Sequence, residues 1–232
     1  MTPAEQHQQL KTLLQLAYDP IGISSTSDSA VATTSAAAPS ACNLWRRAES
    51  ASFTADAKAH MNCKVGAHVM GFSLQGEDMQ ALGSLMQTMT GVAYIMPDEV
   101  PALPRLPEHK AWRYTPLRVS IVDSDLVVLW IDARQVMLIQ EAMGSAHWKS
   151  GKGLRTTGRP ACGALALAYH HAEAVVSFGC AGMRTFTEIP DQYMLFVIPG
   201  ELVEGLCRSL AQTAQANAAV QCVYDKQKSL FV

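Results

Sequence analysis

Apolar residues in the first part of the chain recur with the spacing of amphipathic helices. Leu10, Leu13 and Leu14 place one apolar stripe on an opening helix that Asp19-Pro20 should end, and Ile21 to Ile23 could start a strand. Further helical patterns run from Cys42 to about Ala51, from Cys63 to Phe72 and from Asp78 to Met89. In the last of these, Met79, Leu82, Met86 and Met89 share a face, which is typical of core filling rather than of a copper or haem site.

The second half of the chain alternates strand and helix patterns. Leu117 to Val122 and Leu126 to Ile131 are predicted strands, and Asp132 is placed to cap a following helix. Beyond them we predict a helix from Pro160 to about His170, strands from Ala174 to Phe178 and from Tyr193 to Ile198, and a closing helix from Glu201. The pattern indicates a mixed α/β fold: one domain over residues 1–232, with a mixed sheet flanked by helices and a helical N-terminal part.

Two segments depart from these patterns. All but three of the residues from Ser24 to Ala41 are Ser, Thr or Ala, so residues 24–41 are predicted to form a mobile loop. The proline-rich segment from Pro97 to Pro107 cannot be helical throughout, so we expect an extended crossover, the best position for a boundary between subdomains.

Composition and charge narrow the class of protein. The chain has 232 residues, is 49% hydrophobic and carries a net charge of −2, which argues against nucleic acid or an anionic membrane as the main partner. No apolar run approaches the roughly 20 residues of a membrane-spanning helix, and the N-terminus does not resemble a secretory signal. A cytoplasmic protein is therefore expected. In that reducing compartment, the six cysteines are not expected to form disulfides.

Four of the cysteines share a local context. Cys42, Cys63 and Cys162 each fall in the first turn of a predicted helix, where the helix dipole and free N–H groups favour a thiolate. Cys180 lies in a glycine-flanked loop that follows a predicted strand, at the sheet edge where α/β proteins often bind ligands. Cys207 and Cys222 lack such contexts and are expected to pack structurally.

The four cysteines could bind iron–sulfur or zinc, but only if the fold brings them together. Their separations of 21, 99 and 18 residues match no zinc or ferredoxin motif. Buried or incidental thiols, and a catalytic thiol that acts without metal, remain open.

Cationic residues indicate a possible anion site. No acidic residue occurs between Ala142 and Ala172, a glycine-punctuated stretch that could cradle an anion or form a solvated basic loop. Arg46 and Arg184 each lie four residues after one of the four cysteines, and His68 lies about one helical turn beyond Cys63. The basic residues of the stretch are Lys149, Lys152, Arg155 and Arg159. Hydrolase, dinucleotide-binding and kinase signatures are missing from the sequence.

Several short motifs, taken in order, resemble those of one protein family. They are Pro20-Ile21-Gly22-Ile23, Cys42 with Trp45-Arg46-Arg47-Ala48, Cys63-Lys64-Val65-Gly66-Ala67-His68 with Met70-Gly71, Gln135-Val136-Met137, Arg159-Pro160-Ala161-Cys162-Gly163 and Ser177-Phe178-Gly179-Cys180-Ala181-Gly182-Met183-Arg184. Over about residues 10 to 210 the chain resembles the uncharacterised domain-of-unknown-function family 169. The resemblance implies one full-length domain of bacterial or archaeal type and singles out the same four cysteines.

The leading hypothesis is that Cys42, Cys63, Cys162 and Cys180 ligate an iron–sulfur cluster. Zinc is the alternative metal, less favoured because small structural zinc sites usually contain close cysteine pairs and a domain of this size does not need zinc to fold. Arg46 and Arg184 would position a small anionic ligand for redox or cluster-assisted chemistry. A non-enzymatic anion-binding module and a thiol–disulfide redox protein are the alternative functions. Whether the protein is an enzyme, its substrate and its oligomeric state are left open.

Overall fold

The computed structural model of the protein describes residues 1–26, 37–145 and 154–231. These residues form α-helices on both faces of one mixed sheet, which confirms the predicted α/β class. The strands are β1 (Ile21–Thr26), β2 (Phe53–Asp56), β3 (Ala111–Pro116), β4 (Leu126–Ile131), β5 (Arg155–Thr157), β6 (Val175–Ser177) and β7 (Met194–Pro199). The helices are α1 (Pro3–Leu14), α2 (Ala41–Ala48), α3 (Ala57–His60), α4 (Lys64–Val69), α5 (Gly76–Gly91), α6 (Ala133–Gln140), α7 (Gly163–His171), α8 (Ala181–Thr187) and α9 (Gly200–Lys228).

The sheet has seven described strands in the order β2-β3-β1-β4-β7-β6-β5. β5 and β6 pair in parallel, and the other neighbouring strands pair antiparallel. β4 is buried along its whole length, which explains its uninterrupted apolar sequence.

The alternation of side chains along β4 divides the core into two layers. Val127, Leu129 and Ile131 pack in a layer with residues of α1, α6 and α9. On the other face of the sheet, a second layer includes residues of α2, α4 and α7. Leu126, Val128 and Trp130 are the β4 side chains in that second layer. Cys42 and Cys162 belong to the layer of Trp130, so this face carries the candidate site.

The predicted strand from Leu117 to Val122 is wrong. The strand in this region is β3, which ends at Pro116, just before the predicted range, and Leu117–Val119 forms a 3-10 turn. Within β3, Trp112 and Tyr114 are buried, whereas Ile121 is 94% exposed, so the apolar run that suggested a strand lies largely at the surface. The sequence patterns also missed β2 and β5, whose few residues are too short for a clear alternation.

The described parts of the two irregular segments contain both regular structure and buried residues. Of the predicted loop 24–41, residues 24–26 belong to β1, and Ala38 and Ser40 are buried. Residues 27–36 of that predicted loop lie outside the described part of the chain. In the segment 97–107, Leu106 is buried and its N–H donates to the carbonyl of Val69 at 2.8 Å. The subdomain boundary there stays a prediction.

Candidate functional site

All four singled-out cysteines line one cavity of about 490 Å³. Cys42 comes from α2, Cys63 from the start of α4, Cys162 from the residue before α7, and Cys180 from the start of α8. The fold therefore brings together thiols separated by up to 99 residues between neighbours in the chain. Within the part of the chain that the structure describes, no three His, Cys, Asp or Glu side chains are grouped as ligands of a metal ion.

Each of these cysteines stands at the beginning of a helix. Ser40 caps α2, its Oγ accepting the N–H of Asn43 at 3.2 Å, which places Cys42 in the first turn as predicted. Cys63 and Cys180 are themselves N-cap residues. The Sγ of Cys63 accepts the N–H of Gly66 at 3.3 Å, and the Sγ of Cys180 accepts that of Met183 at 3.4 Å. Cys180 thus lies at the start of α8, in the connection that follows β6.

Two glycines lie next to these cysteines at positions where a side chain would not fit. A Cβ at Gly66 would lie 2.6 Å from the Cβ of Ala41 and 3.0 Å from the Sγ of Cys63, so α4 packs on α2 only because no side chain is present. Gly179, which precedes Cys180, has a φ of +91°. Residues with a side chain rarely adopt this backbone conformation.

Burial keeps two of the thiols protonated. Cys42 and Cys162 are 6% and 4% exposed, and desolvation raises the pKa of both thiols well above the ordinary value. The neighbouring cysteines of the cavity raise the pKa of each further, because several thiolates at one place repel each other. Without a cation, these two sulfurs are therefore neutral. A bound cation would offset the repulsion and displace the protons.

Behind Cys42 and Cys162 lies a buried polar pair that the sequence patterns did not reveal. The Nδ1 of His60 lies 2.7 Å from the carbonyl oxygen of Asp56, so Nδ1 carries the proton and donates to it. The Nε2 of His60 then accepts the hydroxyl proton of Tyr114 at 2.9 Å. Burial, followed by Cys42 and Cys162, raises the pKa of Tyr114, and burial lowers the pKa of His60 to about 4. The pair is therefore neutral at pH 7.

Of the predicted anion-binding residues that the structure describes, Arg159 lines the cavity together with the cysteines. Its guanidinium carbon lies 4.3 Å from the centre of the Tyr94 ring. Lys64, which was not singled out, also lines the cavity, but its Nζ is paired with the carboxylate of Asp78.

Other predicted ligand-binding residues have partners elsewhere and are not among the described lining residues. Arg46 pairs with Glu49 and lies over the ring of Tyr18. Arg184 donates to the carbonyls of Phe178 and Pro190.

Arg155 and His68 also lie away from the described cavity wall. Arg155, on β5, pairs with Glu173. His68, on α4, has its pKa lowered by burial and by Arg105. Lys149 and Lys152 lie outside the described residues. An anion-binding role for these residues stays a prediction.

Much of the remaining cavity wall is apolar and comes from α5 and the segment after it. The methionine stripe of α5 splits: Leu82 is buried, Met79 is 47% exposed, and Met86 and Met89 face the cavity. These two methionines therefore do more than fill the core. The apolar side chains contributed by this part of the chain include Leu85, Met86, Met89, Ile95, Val100 and Leu103.

Comparison with protein-family models places the chain. Residues 9–209 match the model of domain-of-unknown-function family 169, described as an uncharacterised ArCR family. The chain belongs to this family. The match to family 169 includes every strand of the sheet and all four cysteines of the cavity, and it ends within α9. Comparisons with curated proteins and with solved structures find no match. Among the described helices, none is both long and apolar enough to cross a bilayer.

Proposed function

We propose that this member of family 169 holds an iron–sulfur cluster on Cys42, Cys63, Cys162 and Cys180, and uses it in redox or cluster-assisted chemistry on a small anionic ligand. The observation that supports the proposal most strongly is that four thiols from four separate helix starts line one cavity. Of the described cysteines, the other two lie elsewhere: Cys207 packs on the opposite face of the sheet, and Cys222 is exposed on α9.

The chain positions of the donors favour a cluster over a structural zinc ion. Small structural zinc sites usually contain close cysteine pairs, whereas these four cysteines are separated by 21, 99 and 18 residues. A cluster distributes four cysteines over several iron atoms, so it suits thiols contributed by four separate helix starts.

The protonation of the buried thiols favours metal binding over thiol–disulfide exchange. A thiol attacks a disulfide as its thiolate, and burial raises the pKa of Cys42 and Cys162 away from that form. Iron would stabilise the deprotonated sulfurs. The burial of the same thiols would keep water away from the cluster. The N–H groups of Gly66 and Met183, which already donate to two of the sulfurs, would stabilise the negative charge of the bound cluster.

Metal and sulfide analysis of the anaerobically purified full chain tests the proposal. We expect iron and acid-labile sulfide, with visible absorption, in the natural chain and in two control variants, Cys207→Ser and Cys222→Ser. Single serine variants of the four cavity cysteines should lose most of the iron, because each removes one thiolate ligand.

A natural chain that stays free of iron and sulfide after anaerobic reconstitution would overturn the proposal, as would stoichiometric zinc without sulfide. A reversible disulfide between two cavity thiols in an iron-free protein, detected by mass spectrometry, would instead support the thiol-redox function.

A further inference from the structure

The apolar part of the cavity wall has no evident use in holding an inorganic cluster. Thiolates bind the iron, and hydrogen bonds from N–H groups to the sulfurs tune the reduction potential. Yet α5 and the following segment place Met86, Met89, Ile95 and Leu103 around the same space. A cavity of about 490 Å³ with a largely apolar wall and a few polar groups is typical of sites for small organic molecules.

Arg159 supplies a cation at this cavity without a described acidic partner. None of the described carboxylates pairs with it. The guanidinium carbon lies over the Tyr94 ring, and guanidinium N–H groups can donate as a fork to a carboxylate.

Tyr94 fixes where this cation stands relative to the cysteines. Its hydroxyl accepts the N–H of Ala181, the residue after Cys180, at 3.4 Å. Its ring at the same time carries the guanidinium of Arg159. Tyr94 is thus a positioning residue that ties Arg159 to the start of α8.

We propose that the cavity binds an amphipathic monocarboxylate, with the carboxylate at Arg159 and the apolar body against the wall from α5 and residues 92–104. The other charged lining residues are occupied, since Lys64 pairs with Asp78 and the carboxylate of Glu99 accepts the N–H of Met96. The one remaining guanidinium suits a single negative charge better than a phosphate dianion, which needs more donors. The inference rests on the proposed function in placing this ligand beside the cluster, whereas the binding itself depends on Arg159 and the apolar wall.

Calorimetric titration of the anaerobically purified full chain tests the inference with octanoate and 3-phenylpropanoate as probes. Octanamide and 3-phenylpropanamide are the neutral counterparts of the same shape. We expect each acid to bind at least about tenfold more tightly than its amide, because a hydrogen bond to a charged group contributes roughly that factor.

Variants of the full chain test whether Arg159 is the residue that recognises the carboxylate. Arg159→Gln should abolish the preference for acid over amide and leave the iron content unchanged. Arg155→Gln is the matched control, since Arg155 is an exposed arginine of the same stretch whose partner is Glu173, and it should keep the preference. Tyr94→Phe retains the ring under Arg159 but loses the bond to Ala181, so it should reduce the preference less than Tyr94→Leu does.

Each outcome of the titration is decisive for the inference. Equal binding of acids and amides, or no binding of any probe, overturns it whatever the iron content. A preference that survives in Arg159→Gln overturns the role of Arg159. If acids bind through Arg159 to a chain that never takes up iron, the ligand site stands and the cluster proposal alone fails.

Discussion

The missing side chain of Gly66 sets the distance between α4 and α2, and with it the place of Cys63. A methyl group there would meet the Cβ of Ala41 at 2.6 Å and the sulfur of Cys63 at 3.0 Å. The Cβ of Ala41 is bonded directly to the backbone of α2 and cannot rotate away, so the clash is removed only if α2 and α4 move apart. The two cysteines of these helices would then move apart.

Gly66→Ala is therefore expected to destabilise the fold by about 1–3 kcal/mol, the usual cost of overpacking, and to lower the iron bound per chain. Urea unfolding and iron analysis measure the two effects. Gly83→Ala is the control: Gly83 lies in α5 with open space around its Cβ position, and the change should stabilise that helix by about 0.5–1 kcal/mol. Normal stability and iron in Gly66→Ala would show that α2 and α4 adjust freely.

His60 makes stability depend on pH. Its folded pKa of about 4 lies below the ordinary value of 6.5, so between these values the unfolded chain binds a proton that the folded chain does not. The free energy of unfolding is then full above pH 6.5 and falls as the pH drops toward 4. The shift corresponds to a loss of about 3 kcal/mol over this window.

The loss is measured by urea unfolding at a series of pH values from 7 to 4. His60→Gln should start less stable at pH 7, since it disturbs the bonds to Tyr114 and Asp56, but should show a shallower decline toward pH 4. His171→Gln, at the exposed end of α7, should keep the slope of the natural chain. Equal slopes in all three proteins would contradict the assignment of this dependence to His60.

At the scale of elements, the sequence patterns predicted strands and helices most accurately where the apolar residues of the pattern are the buried ones. β4 occupies the predicted residues because its apolar run is buried on both faces, and Asp132 caps α6 as its side chain and position indicate. β3 was missed because the more apolar segment after it lies at the surface, around Ile121. Propensity cannot show which apolar run the core accepts.

In the candidate site, too, local signals were predicted from the sequence and long-range contacts were not. Helix-start contexts singled out Cys42, Cys63 and Cys162, and a glycine-flanked loop after a strand singled out Cys180, because these are local signals. Only the long-range topology brings the four to one cavity. The spacing of Arg46 and Arg184 did not reveal their partners: Arg46 pairs with Glu49, and Arg184 donates to backbone carbonyls. Tyr94 carried no recognisable motif, because its role depends on Arg159 and Ala181 from distant segments.

For the whole molecule, the sheet separates a face that carries the cavity from a face that provides packing. α9 belongs to the second face, where Val203, Leu206 and Leu210 are buried. Farther along this helix, Asn217 donates to the carboxylate of Glu141 at 2.6 Å. From residue 218 to residue 231 every side chain is exposed, so this part of α9 adds little to the described core.

A chain that ends at Ala219 should therefore fold with a free energy of unfolding within about 0.5 kcal/mol of the full chain, because only exposed side chains are removed. Under the cluster proposal it should also bind as much iron as the full chain, because the cavity lies on the opposite face of the sheet. Leu206→Ala in the full chain provides the contrast, with an expected cost of about 2–5 kcal/mol for a buried leucine. Urea unfolding and iron analysis of the three proteins decide the matter. A shortened chain as unstable as Leu206→Ala would mean that the exposed end of α9 is held by contacts essential to the fold.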